Sequence, residues 1–432
     1  MRRVAITGMG VLNSLGQGLT CVWKRLIAGE DGISKITFFD ATQYRCKVAA
    51  EVRSVDGFGI DQRDCYATPS PAPGLSSREI RRATSIFLAC AKEAFADSHL
   101  AVSGFDAEAV GVAAGASVAY IDHELTAEYY RMRRDDNSDV DLQRFAQDGA
   151  QPEETFSRSL GDRMACLPAR VLGLRGPVMV LDTACAASGH AIGEAFQLVR
   201  RGRAVAMIAG GAAATVSPIG ILYFTVLGAL SQNEDPQSAS RPFDKFRDGF
   251  VMGEGGGAVV LEDYEHAKAR GAKIYAEVKG FGCTTCAMNL TDPSPDGSVE
   301  EQAMRSALED GSMLPEEIQY IALHGTSTQK NDSTECKAIH RLMGHQASSV
   351  LASSNKAQIG HTISGAAVSN LIMTVQAMQE GVVPPTMHLR NPDPELDLDF
   401  VPNLARRANI SGALVNSFAF GGQNAVLAVA RV

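Results

Sequence analysis

Apolar strand-like runs alternate with helical patterns along this chain, and the alternation occurs twice. In the first half, a strand-like run at 4–7 precedes a helical pattern near 20–28, and a long helical pattern at 76–98 precedes a run at 110–114. Runs at 178–181 and 204–208 then flank a helical pattern at 191–201. In the second half, runs at 275–280 and 320–323 alternate with helical patterns at 299–310 and 332–343, and runs at 413–418 and 426–430 close the chain. Parallel strands need crossover helices, so this rhythm predicts a parallel sheet covered by helices. Two α/β halves, 1–265 and 266–432, place an active site where loops of both converge. The polar stretches 68–74 and 131–154 read as surface loops with partner or pocket functions.

Composition narrows the function. With 432 residues, 45% of them hydrophobic, the chain has ample core for two or three domain-sized units. A net charge of −9 opposes nucleic-acid binding, whose footprint is basic. The nine cysteines lack framework spacing, which predicts reduced thiols and a cytoplasmic location. Residues 204–233 carry no charge, but Gly210, Gly211, Pro218 and Gly220 divide them into a strand, a turn and a helix, so no membrane span is expected.

Several motifs lead nowhere. Gly8-Met9-Gly10 follows a strand, but Asn13 replaces the third glycine of a dinucleotide loop. The glycines at 253 and 255–257 lack a phosphate-loop ending and read as close backbone packing. Cys283 and Cys286 have zinc spacing without a second pair, so no metal site is expected.

Cys185 is different, because an apolar strand-like run passes directly into a helix start of small residues around it. The macrodipole at that position is expected to lower the thiol pKa, and unpaired amides of the same turn can receive an oxyanion. His324 and His361 each follow a strand and adjoin glycine, and Lys356 precedes His361 closely. Together they form a Cys/His/His constellation suited to covalent catalysis. Residues 416–424 supply a glycine-rich loop with two aromatics, able to gate a hydrophobic tunnel.

These motifs resemble the ketosynthase branch of the thiolase superfamily, with the synthase II pattern most similar. They comprise the 4–10 segment, Thr183-Ala-Cys-Ala-Ala-Ser188, Arg241-Pro-Phe-Asp244, His324-Gly-Thr-Ser-Thr328 with Asp332 and Glu335, Lys356 before Gly360-His361, Val383-Pro-Pro-Thr386, and Asn416-Ser-Phe-Ala-Phe-Gly-Gly422. The resemblance implies a five-layered αβαβα thiolase-like fold with two pseudo-duplicated halves. It also implies decarboxylative Claisen condensation between an acyl group on Cys185 and malonyl-acyl carrier protein, in fatty-acid or type II polyketide or polyene biosynthesis.

On that resemblance, His324 and His361 serve the malonyl unit, and Lys356 with Glu335 organises them. The amides of Cys185 and Phe420 form the oxyanion hole, and Ala419, Phe420, Gly421 and Gly422 form the gating loop. Val118 and Tyr120 line the acyl pocket, with Tyr120 as the chain selector. Arg78, Arg81 and Arg82 dock the acyl carrier protein, whose phosphopantetheine arm delivers substrate, and no further cofactor is implied. The partner subunit is an identical chain or a chain-length-factor-like subunit; in the second case this chain is the catalytic member. Where the family commonly has Gly-Phe-Gly-Gly-Thr-Asn, this chain has Ala419 and Gln423, so its gate has one flexible residue fewer. A coenzyme A thiolase would need a second cysteine near the C-terminus, and none follows Cys336.

Overall fold

The computed structural model describes residues 1–53, 82–117, 141, 143 and 163–432. In the first half, five main strands are β1 (Val4–Asn13), β2 (Val110–Gly115), β3 (Val178–Leu181), β4 (Ala206–Ala213) and β5 (Gly255–Asp263). The second half contributes β6 (Ala276–Thr285), β7 (Tyr320–Ala322), β8 (Leu351–Ser353), β9 (Gly412–Phe418) and β10 (Gln423–Ala430). They join in the order β8-β7-β9-β10-β6-β1-β5-β4-β2-β3, with the two-residue strand Gly16–Gln17 appended to β1.

Each half uses the same order. The first reads β3-β2-β4-β5-β1 and the second β8-β7-β9-β10-β6, with matching parallel and antiparallel pairings. The sheet is therefore mixed, not parallel as the alternation suggested. Four residues, 419–422, join β9 to β10, too few for a crossover, and the pair is antiparallel.

Helices fill three layers around this sheet. On the outer side of the first half lie α1 (Arg82–Ser98) and α2 (Arg163–Leu172), packed on β1, β2, β4 and β5. Between the halves lie α3 (Ala187–Arg200) and, from the second half, the long helix Ala366–Glu380. The outer side of the second half is covered by the helices Ser298–Gly311 and Gln329–Met343. With α4 (Pro218–Val226) beside the site, the last three are α5, α6 and α7 in chain order: Ser298–Gly311, Gln329–Met343 and Ala366–Glu380.

The glycines of the first strand serve this packing. A Cβ at Gly8 would lie 2.1 Å from the Ala94 carbonyl, and one at Gly10 2.2 Å from that of Cys90, so only glycine lets α1 settle on β1. The 255–257 glycines act alike, since a Cβ at Gly256 would lie 2.2 Å from the Gly211 carbonyl. Among the described residues, no helix is long and apolar enough to cross a membrane.

Candidate active site

Just beyond β3, a single 3₁₀ turn, Ala184–Ala186, leads into α3 and carries Cys185. Ala184 adopts φ 47°, a left-handed conformation that costs an alanine of order 1–3 kcal/mol. The sharp turn lifts Cys185 onto the end of the helix, and the Ser417 hydroxyl fixes it by donating to the Cys185 carbonyl at 3.0 Å. The thiol is buried, and burial pushes its pKa up to about 11. Lys356 and the amides of Phe420 and Cys185 pull the other way without prevailing. This corrects the expectation of a lowered thiol pKa: desolvation in the apolar surround outweighs the helix terminus.

His361 faces this sulfur, with Nε2 3.1 Å from Sγ. The Ile363 amide donates to its Nδ1 at 3.2 Å, which fixes the neutral ring's proton on Nε2. His361 therefore presents a donor to the sulfur. Its ring packs edge-on against Phe250 at 5.1 Å and against His324 at 5.3 Å. Burial, followed by the charge of Lys356, holds both imidazoles well below the usual histidine range, so both are neutral near pH 7.

The backbone at His324 is held from two sides. Glu335 on α6 accepts the amides of His324 and Gly325, each at 2.8 Å, and the Asn416 side chain at 3.0 Å. Lys356 donates to the His324 carbonyl at 2.5 Å. Lys356 and Glu335 thus grip one peptide rather than each other. Burial lowers Lys356 to about 8 and raises Glu335 to about 7, each opposed by the other's charge or by hydrogen bonds. Asp332, one turn earlier on α6, accepts the amides of Thr326 and Phe243 and lies 3.6 Å from the Arg247 guanidinium.

Cys185, His324 and His361 open on a pocket of about 310 Å³, also lined by Thr326, Thr328 and Phe420. Behind the thiol, Val216, Phe224, Phe250, Met252 and Ile363 form an apolar cluster. The 419–422 loop, expected to gate the pocket, is tied down: the Gly421 amide donates to the Leu290 carbonyl at 2.7 Å, and the Cys286 amide donates to the Gly422 carbonyl at 2.7 Å.

The five expected catalytic residues converge, as do the amides of Cys185 and Phe420 beside the thiol. Val118, Tyr120, Arg78 and Arg81 lie outside the described residues. Arg82 is a correction. Its side chain is 9% exposed, paired with the buried Glu254 at 2.8 Å and stacked on Phe38, so it has no free charge to offer a carrier. Phe250, Asn416 and Ser417 were not foreseen as site residues; Asn416 and Ser417 stood in a noted motif, whereas Phe250 gave no separate signal.

Residues 1–267 match the N-terminal domain of beta-ketoacyl synthases, and residues 275–390 match their C-terminal domain. The chain belongs to the β-ketoacyl synthase family. It is 39% identical to the 3-oxoacyl-[acyl-carrier-protein] synthase 2 of Synechocystis sp., over 99% of this chain and 97% of that one. Against the Vibrio cholerae enzyme of the same name it is 38% identical, over 100% and 99%. Among solved structures, it matches a ketosynthase in complex with its type II PKS acyl-carrier protein and bound to the hexaketide, with a TM-score of 0.86 at 30% identity and full coverage of both. The ishigamide ketosynthase/chain length factor matches with a TM-score of 0.85 at 31% identity, over 100% of this synthase and 99% of that chain.

Proposed function

We propose that this synthase condenses an acyl group held on Cys185 with malonyl-acyl carrier protein. The observation that carries the reading is the pair of neutral histidines beside a buried thiol, with the His361 Nε2–H fixed toward the sulfur. In the first step the Cys185 thiol loses its proton to water and its sulfur attacks the carrier-bound thioester. The amides of Cys185 and Phe420 receive the tetrahedral oxyanion, the C–S bond to the carrier breaks, and the departing thiolate takes up a proton. In the second step the malonyl C–C bond to the carboxylate breaks and carbon dioxide leaves. The electron pair passes into an enolate whose oxygen accepts from the two imidazoles. The enolate carbon then attacks the Cys185 thioester, and the C–S bond breaks to release the β-ketoacyl carrier and restore the cysteine.

The apolar cluster behind Cys185 suits an acyl chain, and the Thr326 and Thr328 hydroxyls suit the amide-bearing pantetheine arm. The similarity to a ketosynthase/chain length factor supports a second reading of the assembly, a heterodimer in which this chain is catalytic, beside the homodimer. Intact-mass spectrometry with acyl-carrier protein tests the function. Wild-type protein gains one acyl group and Cys185→Ala none, while His324→Ala releases carbon dioxide from malonyl carrier about 10²–10³ times more slowly. An adduct on Cys185→Ala, or wild-type decarboxylation by His324→Ala, overturns the assignment.

A further inference from the structure

Away from the pocket, on the outer face of α6, three metal-ligating side chains meet. Cys336 and His340 are four residues apart on the helix, so one stands above the other on the same face. Asp397 comes from the segment between Asp393 and Asp399. Its neighbours Leu396 and Leu398 are buried in the same core as Cys336, Ile339 and Leu342, which fixes where the carboxylate stands. The three ligand atoms all lie within 4.8 Å of one another, and His340 Nε2 is 2.6 Å from Asp397 Oδ1. The sulfur is buried, whereas the His340 and Asp397 side chains are 37% and 72% exposed, so an ion has a path from solvent.

We propose that Cys336, His340 and Asp397 bind a divalent transition ion, zinc foremost, with water completing the coordination. Sulfur and imidazole donors select a borderline ion over calcium or magnesium, which take oxygen. In a tetrahedral zinc site, bonds of about 2.0–2.3 Å set the ligand atoms about 3.3–3.8 Å apart. The imidazole and carboxylate must part by about 0.7 Å and the sulfur close by up to about 1.3 Å, within reach of side-chain rotation on a fixed backbone. A His–Asp hydrogen bond accounts for two of the residues, and core packing sets the Cys336 sulfur within 4.8 Å of both their ligand atoms. Burial pushes the Cys336 thiol up to about 12, offset only in part by the Asp397 backbone amide, so the ion itself must displace the thiol proton.

On binding, the Cys336 proton passes to solvent and His340 presents Nε2 to the metal, so uptake releases at least one proton. The ion would clamp α6 to the 393–399 segment. Because α6 also carries Asp332 and Glu335, that clamp holds the helix on which the His324 backbone rests.

The test uses the full chain, stripped with a chelator, in a Cys185→Ala background so that the thiol in the pocket contributes nothing. Cobalt(II) is expected to give a thiolate-to-metal absorption band saturating at one ion per chain, and zinc to displace it and raise the melting temperature. Calorimetry in two buffers of different protonation heat is expected to show the released proton. Cys336→Ala is expected to abolish the band. His340→Gln, at a half-exposed position that does not endanger folding, weakens binding at least about 100-fold. Absence of the band, or a band and stoichiometry that survive either substitution, overturns the proposal.

Discussion

At the scale of single residues, the pocket works by withholding charge. His324 and His361 are buried and lie near the ammonium of Lys356, so a proton added to either ring is penalised twice. The unfolded chain has no such penalty, and its histidines take protons near pH 6.5. Below that pH the unfolded state binds more protons than the folded one, so stability falls as pH falls. From pH 7 to 5.5 each buried imidazole costs about 1.3 kcal/mol. His361→Gln should therefore lose about that much of the pH dependence, measured by urea unfolding at the two values. Arg82 gives a prediction of the opposite kind. Removing it leaves the buried Glu254 carboxylate unpaired, so Arg82→Ala should destabilise by about 3–5 kcal/mol in the same measurement and leave the salt dependence of carrier binding unchanged.

Among the elements, the β9–β10 turn carries the most consequence in the fewest residues. Gly422 sits at φ 74°, and a Cβ there would lie 2.1 Å from the Cys286 carbonyl. Gly422→Ala must push the turn off β6 and carry the Phe420 amide with it. The expected result is about 1–3 kcal/mol of lost stability and acylation of Cys185 slowed about 10²-fold, measured by denaturant unfolding and by single-turnover mass spectrometry. This turn was legible in the sequence because glycines and aromatics announced it, and β3 was legible to the residue. The helix at 366–380 was not read, because it is buried almost all round and shows no amphipathic stripe. Strand pairing direction was misread for a related reason: an apolar run records that a strand is buried, not which way its neighbour points. The residues that converge at the pocket were legible through motif order. The thiol's raised pKa was not, since burial by side chains far apart in sequence decides it.

The molecule as a whole ends its sheet on β3, and among the described residues no strand covers the far side of that strand. The carbonyls of Pro177 and Leu181 accept from Val112 and Ala116 of the β2 side, so residues 177, 179 and 181 face β2 while the peptide groups of Val178 and Val180 face outward. Val178 is 39% exposed. An apolar free edge of this kind invites a second chain. Light scattering is expected to find a dimer, and Val180→Pro, which deletes an outward N–H without touching the β2 ladder, should shift it toward monomer.

The repeated strand order has a consequence for how such a centre can arise and be taken apart. The first half ends its third strand in a turn with Ala184 at φ 47° and then a long helix; the second half, a loop after its third strand, has Ile363 at φ 42° and then another long helix. Ser364 therefore stands where Cys185 stands, and its hydroxyl donates to the Ala212 carbonyl of the opposite half at 2.9 Å. One bend serves twice: the first turns a thiol to the pocket and the second rivets the two halves. Cutting the chain between the halves would leave each piece with a complete bend and neither with a complete centre.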